Sequence, residues 1–510
     1  MPAFMSTRPR NPYASSRNIG RREIPLAPLE RTGSGETGST LQMLYVAGQM
    51  TQPPWGPLAE RYAHGKRLRK KVPRERHAEL LGSGGRDPVA ILAAGDRNRV
   101  PELIPVRYER MLVSPFAFLR GAAAVMAEDL KHQARAGISV QACGDCHLMN
   151  FGAFATPEEN LVFDINDFDE TLAGIDFTVD LKRLVASVAV AALAAKFPNK
   201  RARAIAAETA QAYRRRMGVL AKLSPVEIWH SKIDLAREIE RIDDRALRRQ
   251  LTTIVSKTAG HLEEDDNFPH LVKGKKPRIE DRPPLIYHFT AKHDSRDRVD
   301  SKRVFASYQD YLAPERRHLI ERYALKDVAF KVVGVGSVGT FCAIGLFMSG
   351  DGAPLFLQVK EAGKSVLECL GPKFEDHPGQ RVVEGQRAMQ AASDVFLGWT
   401  QDEAAGRYFY VRQLKNRHLG SIGELVEERA LASYAHLCGR TLARAHARSA
   451  DPAVLTGYMG KNDAMDDALA SFAMAYAGRT QSDYDRLVKA KRPATKLKSG
   501  NASRKQGRTR

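Results

Sequence analysis

Residues 327–362 read DVAFKVVGVGSVGTFCAIGLFMSGDGAPLFLQVKEA. β-Branched and aromatic residues dominate the stretch, and Gly334, Gly336 and Gly339 form a GxGxxG directly after the first apolar run. Two kinds of fold carry such a motif. A dinucleotide-binding fold continues from the last glycine into a helix, whereas a glycine-rich hairpin over nucleotide phosphates returns as a second strand. Here TFCAIGLFM alternates and soon meets SGDG, a turn that sends the chain back antiparallel. The residues therefore predict a hairpin, with Gly334, Gly336, Ser337 and Gly339 in a phosphate-facing loop. The returning strand, PLFLQVKEA, sets Lys360 among apolar residues, where it is either a phosphate-gripping lysine or an ordinary strand-edge cation. A phosphate-gripping lysine needs an acid from the next helix. In RVVEGQRAMQ that acid is Glu384, with Glu368 a poorer choice. RYFYVRQLK predicts a further strand, and ELVEERALASYAHLCGRTLARAHARSA a long helix.

Working toward the N-terminus, the character turns helical. Ser114-Pro115 is a capped helix start, and FAFLRGAAAVMAEDL predicts one helix to Leu130 that carries Arg120. GISVQACGD and NLVFDINDF predict short strands, LKRLVASVAVAALAAKF a buried helix, and 200–260 mostly amphipathic helix. Between those strands, CGDCHLMNFG places Asp145 and Asn150 five apart with His147 between them. Phosphoryl transfer needs a carboxylate to orient or deprotonate the attacking hydroxyl and a nearby amide to hold magnesium. Asp145 fits the base, Asn150 the ligand, and His147 loop support or a substrate contact. FDINDFDE then offers a second metal carboxylate, with Asp167 first and Asp164 as the alternative. Either half alone is compatible with an acid-rich loop capping the next helix. The pair together reads as a site.

These motifs resemble the aminoglycoside and choline kinase branch of the protein-kinase-like fold, whose loop commonly reads HGDxHxxN and is followed by an aspartate in an IDF strand. Cys143 stands where that branch has its leading His, and Asp180 in VDLKRLVAS resembles its later helix-anchoring aspartate. SPFAFLRG, CGDCHLMNFG, FDINDFDET, KVVGVGSVGT, LFLQVKEA and LARAHARS also resemble an uncharacterised bacterial family, domain of unknown function 2252. The resemblance implies an α+β, two-lobed kinase-like fold and an ATP/Mg2+-dependent phosphotransferase acting on a hydroxyl acceptor. The usual order is glycine loop, lysine, glutamate, linker, helix, catalytic loop and metal aspartate. Here the last two come first, as in a circular permutation, which termini close together on a domain surface permit. The expected divisions are a basic disordered arm (1–75), a helical lobe with the catalytic and metal loops (76–325), a β-rich nucleotide lobe (326–416), helices completing the helical lobe (417–485) and a disordered basic tail (486–510).

The composition bounds the alternatives. Five cysteines form no secreted disulfide framework, and the single CxxC at Cys143 and Cys146 lacks the second pair a zinc site needs. No apolar run approaches a membrane span, and a cytoplasmic protein is expected. The net charge of +20 raises nucleic acid as a partner, but ten Lys or Arg and no acid lie in 486–510, so that partner is expected only through the basic tails. A nucleotide-binding pseudokinase or regulatory module and an adenylyl transferase are the nearer alternatives, and an oxidoreductase is the remotest.

Overall fold

The structure is a computed structural model, and it describes residues 56–491 apart from 83–84, 159, most of 241–267, 273–275, 289–298, 300 and 415–427. The expected arm before 56, the tail beyond 491, most of the amphipathic stretch from 241 to 260 and the linker after β10 lie outside the described residues. What is described is an α+β protein. Among the described residues no helix is long and apolar enough to cross a membrane.

Among the described residues, ten strands form three antiparallel sheets. β1 (Ser139–Ala142) pairs with β4 (Leu172–Asp176), and β2 (Phe151–Ala155) pairs with β3 (Leu161–Ile165). The third sheet contains β5 (Ile286–Tyr287), β6 (Tyr323–Lys331), β7 (Cys342–Ser349), β8 (Pro354–Glu361), β9 (Gly398–Asp402) and β10 (Arg407–Gln413), in the order β5-β6-β7-β8-β10-β9. Five helices position the site: α1 (Pro115–Gly121), α2 (Thr178–Ala194), α3 (Asn199–Leu220), α4 (Pro378–Met389) and α5 (Glu428–Ala447).

The large sheet follows from the period-2 pattern of its strands. Along β7, Ala343 and Phe347 enter one core with Leu357, Val359, Phe409 and Val411, while Ile344 and Leu346 enter the opposite one with Phe356 and Ile286. Both faces are covered. The first core also takes Phe305, Tyr308, Leu312 and Ile320, so the helices Ser301–Asp310 and Pro314–Ile320 pack on the sheet, ahead of the boundary drawn at 326. The expected SGDG turn is present, with the Gly352 amide donating to the Ser349 carbonyl at 3.1 Å.

Helix α2 is buried almost all round, as its apolar composition requires, and packs among α3, α5 and the helix Ala464–Lys491 in the largest core. The expected helix from Ser114 to Leu130 is broken at Ala122. Ser114 does cap it, accepting from the Ala117 amide at 3.1 Å, but the Gly121 carbonyl is taken by Arg107 at 3.2 Å. The arm drawn to 75 also gives way earlier, because Leu58–Lys71 is a helix packed on Pro452–Met459. Gly65 and Gly457 allow that crossing, since a Cβ on either would strike the partner helix's backbone.

Candidate active site

Nested pairing of the short strands brings two distant loops to one end. β1 and β4 end at the Ala142↔Leu172 pair, and β2 and β3 meet at Phe151↔Ile165. The loop 143–150 leaves β1 for β2, and the loop 166–171 leaves β3 for β4. One residue beyond the inner pair, the Asn166 amide donates to the Asn150 carbonyl at 2.9 Å, which sets Asn150 beside Asp167.

The first loop is held from behind. Gly144 has φ +92°, and a Cβ there would collide with the Glu170 carbonyl, so only glycine fits. Asp180 at the start of α2 accepts the Cys143 and Gly144 amides at 2.8 and 3.0 Å, and its carboxylate meets His446 Nε2 of α5 at 3.2 Å. Tyr213 of α3 hydrogen-bonds the other ring nitrogen of His446 at 2.9 Å. His147 Nδ1 accepts the Met149 amide at 3.2 Å and so caps the turn Leu148–Asn150. Burial, reinforced by Arg183 and Arg120, lowers the His147 pKa well below the usual imidazole value. It stays neutral and supports the loop.

Asp145 is the loop's open group, with its side chain 19% exposed. Arg183, projecting from α2 one turn after Asp180, donates from Nε to Asp145 Oδ1 at 2.6 Å and also pairs through Nη2. Asp145 Oδ2 lies 3.6 Å from His147 Nε2. Burial raises the Asp145 pKa although Arg183 and Arg120 pull it down. Asn150 gives Nδ2 to the Asp145 carbonyl at 2.6 Å, leaving Oδ1 as an acceptor. Sequence reasoning missed Arg183, whose signal was the Lys182-Arg183 pair in an otherwise mostly apolar helix.

The large sheet delivers Lys360 to the second loop. Its Nζ donates to Asp169 Oδ2 at 2.6 Å, across 191 residues of chain. Tyr410, the cross-strand partner of Lys360 in the β8–β10 register, donates its hydroxyl to Asp169 Oδ1 at 2.6 Å. Ser337 from the glycine loop reaches Asp169 Oδ2 at 3.2 Å. Burial opposes the Asp169 charge, but Lys360 and Tyr410 outweigh it and hold the pKa down. Asp167 goes the other way, raised by burial and then by its neighbour Asp169. Two close carboxylates of unequal affinity for protons suit a cation.

Two expected site residues lie elsewhere. Glu384 on α4 accepts from Gln380 at 2.8 Å, one turn away, and does not meet Lys360, whose ion partner is Asp169. The α4 residue that does touch the loop is Arg381, on the carbonyls of Asp169, Thr171 and Gly363. Asp164 is fully buried, pairs with Arg444 of α5 and accepts the Ile165 and Ala391 amides at 2.9 and 2.8 Å. With both oxygens occupied by the protein, Asp164 is a structural anchor, and Asp167 is left as the metal candidate. The Cys143 and Cys146 thiols and the Asp180 carboxylate lie within 4.8 Å of one another. Burial raises both thiol pKa values, and the Asp180 oxygens are already taken by amides and His446.

The family described as an uncharacterised protein conserved in bacteria, DUF2252, matches residues 99–490, which span both loops and the large sheet. The chain belongs to this family. No curated protein matches it, and no solved structure does. In this DUF2252 member the matched stretch begins at Arg99, which donates to the Val338 carbonyl of the glycine loop, so the family boundary includes the segment that holds that loop.

Glu170 closes the second loop against the sheet region. Its carboxylate accepts the Val366 amide at 2.7 Å, and burial lifts its pKa to about 7. The native carboxyl therefore keeps a proton that the unfolded chain releases from about pH 4.5 upward. Stability should fall across that window and stay reduced above about pH 7. Glu170→Gln preserves the acceptor and removes the charge, so at pH 8 it should raise stability by roughly 1–3 kcal/mol, with little change at pH 4. Urea unfolding at the two pH values checks this. An equal gain at both would contradict it.

Proposed function

We propose that this protein is an ATP- and magnesium-dependent phosphotransferase acting on a hydroxyl-bearing, small-molecule acceptor. The observation that carries the reading is the ion pair between Lys360 and Asp169, which joins the glycine-loop sheet to the Asp145 and Asp167 loops. Glycine loop, lysine strand, helix and two further strands succeed one another as they do around the phosphates in protein kinases. A circularly permuted kinase-like fold has support of its own. Ser449, just beyond α5, accepts the Gln141 amide of β1 at 2.8 Å, so the helix that would precede the catalytic loop in the usual order ends beside it.

The donor set suits magnesium: the Oδ1 of Asn150 and the Asp167 carboxylate come from loops tied together by the Asn166–Asn150 backbone bond, and Asp167 carries the raised pKa that a cation would relieve. Held there by Asn150 and Asp167, magnesium would offset the charge of the nucleotide phosphates. Lys360 and the amides of the loop from Gly334 to Gly339 would orient the same phosphates. Asp145 Oδ2 accepts the acceptor's hydroxyl proton while the acceptor oxygen bonds to the γ-phosphorus. The bond from that phosphorus to the β–γ bridging oxygen breaks, and ADP carries the electrons away. Arg183 keeps Asp145 aimed and ionised.

Titration of ATP with and without magnesium tests the reading. Asp167→Asn should weaken magnesium-dependent ATP binding about 10-fold or more and leave magnesium-free binding unchanged. Equal loss in both would overturn the ligand assignment. One observation favours a regulatory, non-transferring module instead: Lys360 meets Asp169 in place of an α4 glutamate. Radiolabelled ATP with cell extract separates the two, and label from the α-phosphate on product would mark adenylyl transfer.

A further inference from the structure

Arg120 has no partner at the place where the proposed reaction puts a phosphoryl group. Among the described residues it makes no hydrogen bond and no ion pair, and its Nε is enclosed without an acceptor. Its electrostatic neighbours are Asp145, which favours its charge, and Arg110, which opposes it, while burial pulls its pKa down. A guanidinium desolvated without an acceptor costs stability, so a fold that keeps one leaves an acceptor to be supplied from outside.

Its position says where that acceptor sits. Arg120 ends α1 directly against the glycine loop, its carbonyl 3.2 Å from where a Gly336 Cβ would lie. Ser337, the next residue, reaches Asp169, and Asp145 is an electrostatic neighbour of the Arg120 guanidinium. The other arginines here are engaged: Arg99 and Arg110 on the carbonyls of Val338 and Gly334, Arg107 on Asp96 and Gly121, and Arg183 on Asp145. Arg120 is left as an unpaired cation close to both Asp145 and the glycine loop.

We infer that Arg120 binds the terminal phosphoryl group of the nucleotide, the group being transferred, and stabilises its charge as the acceptor oxygen attacks. This rests on the phosphotransferase reading and adds a phosphate-binding residue to it. A planar guanidinium suits two phosphoryl oxygens at once. Because ADP lacks that group, the assignment predicts discrimination between the two nucleotides.

Calorimetric titrations of the full chain with Mg·ATP and Mg·ADP, for wild type, Arg120→Gln and Arg120→Lys, test it. Arg120→Gln should weaken ATP about 10- to 100-fold, the worth of a charge-assisted hydrogen bond, and leave ADP unchanged. Arg120→Lys should recover part of the ATP affinity. Without nucleotide, the melting temperature of both variants should hold or rise, since no native partner is lost, whereas an arginine kept for structure would lower it. Equal weakening of ATP and ADP, an unchanged ratio, or a lowered melting temperature in both variants overturns the assignment. Wild type that binds neither nucleotide overturns the phosphotransferase reading and this inference with it. Wild type that binds both, with Arg120→Gln keeping the wild-type ratio, overturns the Arg120 assignment alone.

Discussion

Asp145→Asn should lower phosphoryl transfer by about three orders of magnitude while leaving Mg·ATP affinity within roughly threefold. Asparagine keeps the volume and an acceptor for Arg183, so the loop retains its shape, but its amide cannot take the acceptor's proton. Arg183 loses a charged partner at 2% exposure, and the variant should also melt earlier. That structural loss is separated from the catalytic one by measuring kcat on folded protein that still binds ATP. In wild type, the raised Asp145 pKa sets the pH profile. The base works ionised, so activity should be lost as the pH falls, along an acid limb displaced upward from that of a free aspartate. Turnover equal to wild type in Asp145→Asn would remove the base role.

The largest stability effect is expected at Arg444→Met. The Arg444–Asp164 pair is fully buried at both ends, and removing the cation leaves Asp164 charged or forces it to take up a proton. A loss of about 3 kcal/mol is expected. It falls at the lower end of the range for broken buried pairs because Asp164 keeps two backbone amides, and because Arg444 Nε and Nη1 already lack acceptors. Adding Asp164→Asn to Arg444→Met should recover part of the loss, since no orphaned charge remains. Urea unfolding of the single and double variants measures this. A change under about 1 kcal/mol in Arg444→Met would show that the pair contributes little.

Both variants turn on which acid does which task, and that is where the sequence ran out. FDINDFDE presents Asp164, Asp167 and Asp169 within six residues. Spacing put Asp167 first but kept Asp164 as the alternative, because Asp164 ends the most apolar part of the strand. Burial tells them apart: Asp164 points into the core against Arg444, whereas Asp167 and Asp169 stand past the strand's end.

Local chemistry was enough for the hairpin, because alternation in TFCAIGLFM and the SGDG turn are set by neighbours in the chain. The same holds for Ser114 capping α1 and for the buried α2, whereas the need for glycine at 144 comes from the Glu170 carbonyl packed against it. Membership of the DUF2252 family also follows from sequence, since its motifs are contiguous. Pairings between distant segments were not legible. Glu384 lay at a plausible spacing from Lys360, yet the rotation of α4 presents Arg381 to the loop and turns Glu384 toward Gln380. Helical phase relative to a partner depends on which face the core buries, and here Val382, Val383 and Met389 settle it. Arg183 and Arg120 read as ordinary cations until tertiary packing enclosed one against Asp145 and left the other without a partner. The chain by itself determined its strands, turns and caps, because those depend on residues a few positions apart. Which charges meet, and which is left without a partner, only the tertiary structure decided, because desolvation and pairing arise when segments some 200 residues apart are packed together.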